Sequence, residues 1–199
     1  MEGSAAPDPS GYPVDVVIPR PAKTSRLLLF LRIILVIPQL LFALVIILVA
    51  SVLTLINYVV VLITGRAVFV GFLSGTVRYT TRVNAYCYFL VDKYPPFSLG
   101  EAADYPVQVV IARPGKIHRW RIFSYILALP HFLILYGLAV LVSVTTLVAF
   151  FIVLIFGRYP PGLFGLAAMY MRYQARVAAY LYLVVDRYPP FALSASSMS

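Results

Sequence analysis

Two stretches of more than thirty residues carry no lysine, arginine, aspartate or glutamate. They are residues 33–64 and 122–156, 32 and 35 long, and only the second holds a possible cation, His131. At 1.5 Å per residue either run would make a helix of about 48–52 Å, against a hydrocarbon core of roughly 30 Å. One upright crossing is therefore too short for either run. Two solutions remain. Each run is a strongly tilted helix kinked at Pro38 or Pro130, or it folds back as a helical hairpin turning near Ser51 or Ser143. The hairpin is the preferred reading, because it gathers all sixteen Lys and Arg on one side of a bilayer, as the positive-inside bias favours. Against it stands the lack of a strong Gly, Pro or Asn turn in the middle of either run.

Composition agrees with a non-aqueous setting. The 199 residues are 62% hydrophobic and 12% charged with a mean hydropathy of +0.92, where soluble domains are about 45–50% apolar and about 25% charged. A water-soluble globule is excluded on these grounds, and the wealth of Tyr, Phe, Val, Ile and Leu excludes disorder. The net charge of +9 calls for an anionic neighbour. In so apolar a chain that neighbour is expected to be anionic lipid, and no nucleic acid is expected. Residues 1–22 contain Glu2, Asp8 and Asp15 but no apolar core of a signal peptide, so the N-terminus is expected to stay in the cytoplasm. The single cysteine, Cys87, has no disulfide partner and reads as a small buried hydrophobe.

The chain is one unit written twice. Tyr12-Pro13-Val14-Asp15-Val16-Val17-Ile18 recurs as Tyr105-Pro106-Val107-Gln108-Val109-Val110-Ile111, Pro38-Gln39 answers to Pro130-His131, and Gly65-Arg66 to Gly157-Arg158. Between Arg78–Phe97 and Arg172–Phe191, thirteen of twenty positions are identical, ending in DKYPPF and DRYPPF. The period is about 93 residues. The expected organisation is a tail at 1–11, repeats at 12–100 and 101–193, and a tail at 194–199. The fold class expected is an all-α integral membrane protein. Each copy holds a short β-strand, a long apolar hairpin or kinked helix, and an amphipathic arginine-bearing helix.

The strands are Val14, Val16, Ile18 and Val107, Val109, Ile111, alternating at period two and bounded by prolines that keep them short. They can pair with each other or lie across the loops of the other copy. The amphipathic helices run from Gly71 to Val91 and from Gly165 to Val185. A helical projection puts Arg82, Thr81, Ala85 and Ser74 beside Arg78, with Arg172, Arg176, Ala175 and Ala179 repeating the arc. A basic face flanked by Tyr86, Tyr88, Tyr180 and Tyr182 suits a helix in the headgroup region, with the bundle interior as the rival place. Arg78, Arg82, Arg172 and Arg176 are accordingly the candidate contacts to anionic lipid.

Little else carries chemistry. Asp92 and Asp186 precede Lys93 and Arg187 and read as local ion pairs or helix caps, while Pro95, Pro96, Pro189 and Pro190 stop the helices. His118 and His131 lack partners at metal-ligand spacing, and His131, which stands where Gln39 does, is expected to hydrogen-bond beside Pro130. No phosphate-binding loop, dinucleotide fingerprint or nucleophile elbow is present. Neither cofactor nor enzymatic activity is expected.

The pattern of Y-P-V, spaced arginines before I-P-Q or L-P-H, an apolar run ending in G-R, then R-V and D-[KR]-Y-P-P-F resembles the bacterial family called domain of unknown function 4389. The likeness runs twice, from Tyr12 to Phe191. The structural motif is Asp92, Tyr94, Pro95, Pro96 and Phe97 in the first copy and Asp186, Tyr188, Pro189, Pro190 and Phe191 in the second. Gly157-Arg158-Tyr159-Pro160 is intact, whereas the first copy reads Gly65-Arg66-Ala67-Val68. The resemblance implies a bacterial protein integral to the membrane and brings no catalytic residues. The expected role is an accessory or scaffold subunit, or a lipid-organising protein, of the inner membrane. It would be multi-pass with cytoplasmic termini, and other membrane subunits are conceivable partners. The alternative is a component of a transporter or channel, which the lack of charge inside the runs disfavours.

Overall fold

The computed structural model describes residues 11–21, 24–112 and 115–191. The expected tails, apart from Gly11, lie outside the described residues, as do Lys23, Arg113 and Pro114. The chain order is β1 (Val14–Val17), α1 (Arg26–Thr64), α2 (Val70–Cys87), β2 (Gln108–Ile111), a 3-10 turn (Arg119–Phe123), α3 (Ser124–Leu127), α4 (Leu129–Phe156) and α5 (Pro161–Leu181).

The preferred hairpins are not formed. Helix α1 runs unbroken for 39 residues through Pro38, and α4 for 28. Ser51, the expected turn, sits inside α1 with its hydroxyl donating to the Ile47 carbonyl at 2.8 Å. A lone serine bonded back to the preceding turn does not reverse a helix, and the Leu, Ile and Val around it leave no reason to stop. The two prolines act differently. Pro38 lies within α1, but Pro130 stands in the first turn of α4, where its missing N–H has no intrahelical partner to lose. The break before α4 is filled by the 3-10 turn and α3. Gly65 and Gly157 end the long helices at φ +68, each donating its N–H to the carbonyl of Val61 or Val153. This left-handed cap favours glycine.

Helix α2 is shorter than expected and α5 is shifted four residues toward the N-terminus, so that they stop at Cys87 and Leu181. Phe89 and Leu183 adopt left-handed φ of 60 and 56, and Leu90 and Val184 donate to the carbonyls of Ala85 and Ala179 at 2.9 and 3.0 Å. The left-handed residue and the bond reaching back five positions reproduce a Schellman closure, built without glycine in both copies.

The two strands pair with each other, antiparallel, and Val16 faces Val109. Those two are counterparts in the repeat, so the axis exchanging the copies passes between them. The long helices obey the same axis. Thr24 N–H donates to the Gly157 carbonyl and the Arg26 guanidinium to Ile155, while Ile117 N–H donates to Gly65 and the Arg119 guanidinium to Ile63. The start of each long segment thus meets the end of the other. The two run antiparallel, with Phe30 against Phe150 near one end and Tyr58 against Tyr125 near the other.

The ribbon rests on α2 and α5 and touches neither α1 nor α4. Helices α2 and α5 pack on each other and supply the largest share of the core, with Leu73, Val77, Val83, Phe164, Met171 and Val177 among its buried members. Helix α1 buries only a narrow stripe, including Leu29, Gln39, Ala43, Ile46, Ala50 and Val61. Two segments, Leu28–Thr64 and Arg119–Phe156, are long and apolar enough to cross a membrane, yet only 22% and 17% of their most apolar windows are buried. That exposure separates them from the core helices of a soluble protein.

Candidate functional site

The polar chemistry of the molecule collects in two matching centres. In the first, Arg32 is 2% exposed although it belongs to the apolar helix α1. Its guanidinium donates to the Tyr86 carbonyl at 3.0 Å and to Asp92 Oδ1 at 2.8 Å, and lies 4.4 Å from the centre of the Tyr86 ring. Asp92 Oδ2 also accepts the Ser25 N–H at 3.0 Å, so one carboxylate both neutralises the arginine and caps α1. In the second, Arg121 is fully buried, donates to the carbonyls of Tyr180 and Val185 at 2.6 and 2.9 Å, and lies 3.4 Å from the Tyr180 ring centre. Asp186 stands 3.7 Å away and accepts from the His118 N–H and imidazole. The expectation that Asp92 and Asp186 pair with Lys93 and Arg187 is therefore corrected. Lys93 donates instead to the Asp104 carbonyl and Arg187 to that of Gly11.

Of the four arginines expected to meet lipid, Arg78 and Arg172 are half-buried. Arg82 and Arg176 are buried, and burial, followed by the nearby Arg78 charge, lowers the pKa of Arg82. Arg78 Nε donates to the Val109 carbonyl and Arg172 Nε to the Val16 carbonyl. Each bond joins a helix of one copy to the strand of the other. Tyr12 and Tyr105 repeat the exchange through the carbonyls of Arg187 and Lys93, at 2.9 and 3.1 Å. The reason for these bonds is local: the ribbon has outward carbonyls that need donors, and Arg78 and Arg172 supply them.

The Y-P-P-F segments run back along the starts of the long helices. Gln39 Nε2 donates to the Pro95 carbonyl at 2.7 Å and Tyr79 bonds Gln39. In the second copy His131 bonds the Tyr173 hydroxyl, as expected of it, and stacks on Phe191 at 4.4 Å between ring centres. Tyr94 meets Phe97, and Tyr188 meets Phe191, at 6.0 Å in both copies. Cys87 is half-buried and beside Ile33, Phe89 and Phe150 lines a shallow apolar recess, where burial pushes its thiol up to about 11. Among the described residues no cluster of three His, Cys, Asp or Glu could hold a metal.

This duplicated architecture has a counterpart among protein families. The family model described as domain of unknown function (DUF4389) matches residues 26–98 and again 121–192. The chain belongs to this family. Each match opens near the arginines before the long apolar segment and closes at the Y-P-P-F motif, so the family unit is the arginine centre with the two helices that enclose it. The strands fall outside both family units. No curated protein and no solved structure matches the chain.

Five exposed cations lie elsewhere, at the two junctions where the long segments meet. Arg66, Lys116 and Arg119 border a cleft of about 590 Å³ at the end of α1, and Arg26 and Arg158 occupy the matching corner at its start. All five are exposed. The sequence counts these residues only among the sixteen cations, and nothing in their spacing brings them to two shared corners. The available signal was the G-R that closes each apolar run.

Proposed function

We propose that the protein is a non-enzymatic component of the bacterial plasma membrane that organises anionic lipid or supports a larger membrane assembly, with its termini on the cytoplasmic face. The observation that carries this reading is the exposed surface of α1 and α4. Ile33, Leu41, Leu44, Leu48, Leu55 and Ile63 on α1, and Leu129, Leu133, Leu147 and Ile155 on α4, all stand open. Water tolerates contiguous apolar patches of only a few hundred Å², so surfaces of this extent call for hydrocarbon. The five rim cations sit at the ends of the same helices, where long basic side chains reach anionic headgroups, each contributing about 1 kcal/mol near such a leaflet.

Lipid enrichment around the reconstituted full chain tests the reading. In nanodiscs of mixed anionic and zwitterionic lipid, the protein is expected to gather anionic lipid, and salt is expected to weaken the effect. Arg66→Gln, Lys116→Gln and Arg119→Gln together should remove most of the enrichment. Enrichment that survives in this triple variant would refute the lipid-organising role.

A further inference from the structure

We infer that α1 and α4 lie in the plane of the membrane, immersed in one leaflet, with the pseudo-twofold axis along the membrane normal and the β-ribbon turned to the water. The inference rests on the membrane reading above and adds the orientation. The long segments are antiparallel and exchange ends, so the axis that relates them passes between them near their midpoints. Only two orientations respect that axis in a bilayer. Either the helices stand upright with the axis in the membrane plane, or they lie flat with the axis along the normal.

The upright orientation fails on two magnitudes. Helix α1, at 39 residues, is about 58 Å long, nearly twice the roughly 30 Å of hydrocarbon available. More decisively, the axis passes between Val16 and Val109, so standing the helices up puts the ribbon level with the bilayer midplane. A two-stranded ribbon has two open edges, and open edges facing lipid leave backbone groups unsatisfied. Beside it lie Glu101, 81% exposed and 3.2 Å from Arg78, and the exposed Asp104. Such charges are expelled from hydrocarbon. Lying flat removes both conflicts: length no longer matters, the ribbon and its acidic loop reach water, and the rim cations at all four helix ends share one side. The several crossings expected from the sequence are thereby replaced by a single-leaflet insertion.

Two measurements on the full chain in a Cys87→Ser background test this. Single cysteines at Ala67 and Arg158 mark opposite ends of α1, and one at Ala103 marks the ribbon side. With a membrane-impermeant maleimide on intact spheroplasts and on lysed ones, all three are expected to behave alike. Labelling of Ala67→Cys with protection of Arg158→Cys, or the reverse, would overturn the flat orientation. Spin labels at Ile34, Leu44, Leu55 and Ile63, all exposed on α1, give the second readout through collision with oxygen and with a water-soluble nickel complex. A constant depth along the helix is expected. A profile deepest near Leu44 and shallow at Ile34 and Ile63 would refute the proposal. Failure of the membrane reading itself looks different: alkaline carbonate would release the chain, and nickel would reach every position.

Discussion

Removing the two partners of the first arginine centre one at a time should cost very different amounts. Arg32 is 2% exposed and Asp92 is 25% exposed. Asp92→Ala leaves a guanidinium inside the protein with the Tyr86 carbonyl and aromatic rings but no counter-charge, and stranding a buried charge costs about 3–5 kcal/mol. It also removes the Ser25 cap, worth about 1 kcal/mol. Arg32→Met fills much of the same volume and strands a carboxylate that still accepts the Ser25 N–H and reaches solvent. That loss is about 1.5–3 kcal/mol, the scale of a hydrogen bond to a charged group. The double variant should fall close to Arg32→Met plus the lost cap, so the coupling equals the stranding cost it avoids, about 3–5 kcal/mol, at or above the top of the range for residues in direct contact. The assay is reversible unfolding of the purified chain in mixed micelles, followed by helicity and by the fluorescence of Trp120, the one tryptophan. Equal costs for the two single variants, adding without coupling in the double, would refute the idea that the pair is one energetic unit.

The reciprocal strand bonds make a second test: Arg172→Gln should speed amide exchange in the ribbon while leaving the exchange of α1 unchanged, as measured by hydrogen–deuterium mass spectrometry. Gly75 lies against the loop that follows Y-P-P-F, where a Cβ would sit 2.7 Å from the Leu99 Cβ and 2.8 Å from its carbonyl oxygen. Gly75→Ala should therefore cost about 1–3 kcal/mol in the same micelle assay, the range for overpacking. Burial raises the phenols of Tyr12 and Tyr105 well above their ordinary value, with nearby arginines opposing it in part. Because the folded values are raised, the stabilisation is complete below the ordinary phenol pKa of about 10 and is lost as pH climbs through the folded ones. Tyr12→Phe with Tyr105→Phe should move the alkaline unfolding midpoint to higher pH, and an unchanged midpoint would exclude these phenols as its cause.

Much of this fold is legible in the residues because it depends on local signals. The repeat, the strands at Val14–Val17 and Gln108–Ile111, the arginine-bearing helices and the glycine caps follow from period, spacing and backbone freedom. The arginine centres were hidden by a displacement between the copies. Arg32 stands six residues before Pro38, but Arg121 stands nine before Pro130, and the 3-10 turn and the break at Ala128 absorb the difference. A search for matching positions therefore passes over a pair that coincides in space. The hairpin reading follows from requiring that charge stay on one side, which makes each run fold back. The flat insertion proposed above meets the same demand differently. Once two identical strands pair antiparallel with Val16 opposite Val109, a twofold axis is imposed on everything attached to them, and the long helices must run in opposite directions across it. Antiparallel helices that exchange ends can keep all their terminal cations on one side only by lying down. On this account, the charge distribution that suggested hairpins and the strand pairing that sets the long helices antiparallel lead to the same flat insertion. The ribbon, a minor feature by length, then decides the orientation of the two helices that make up most of the apolar surface.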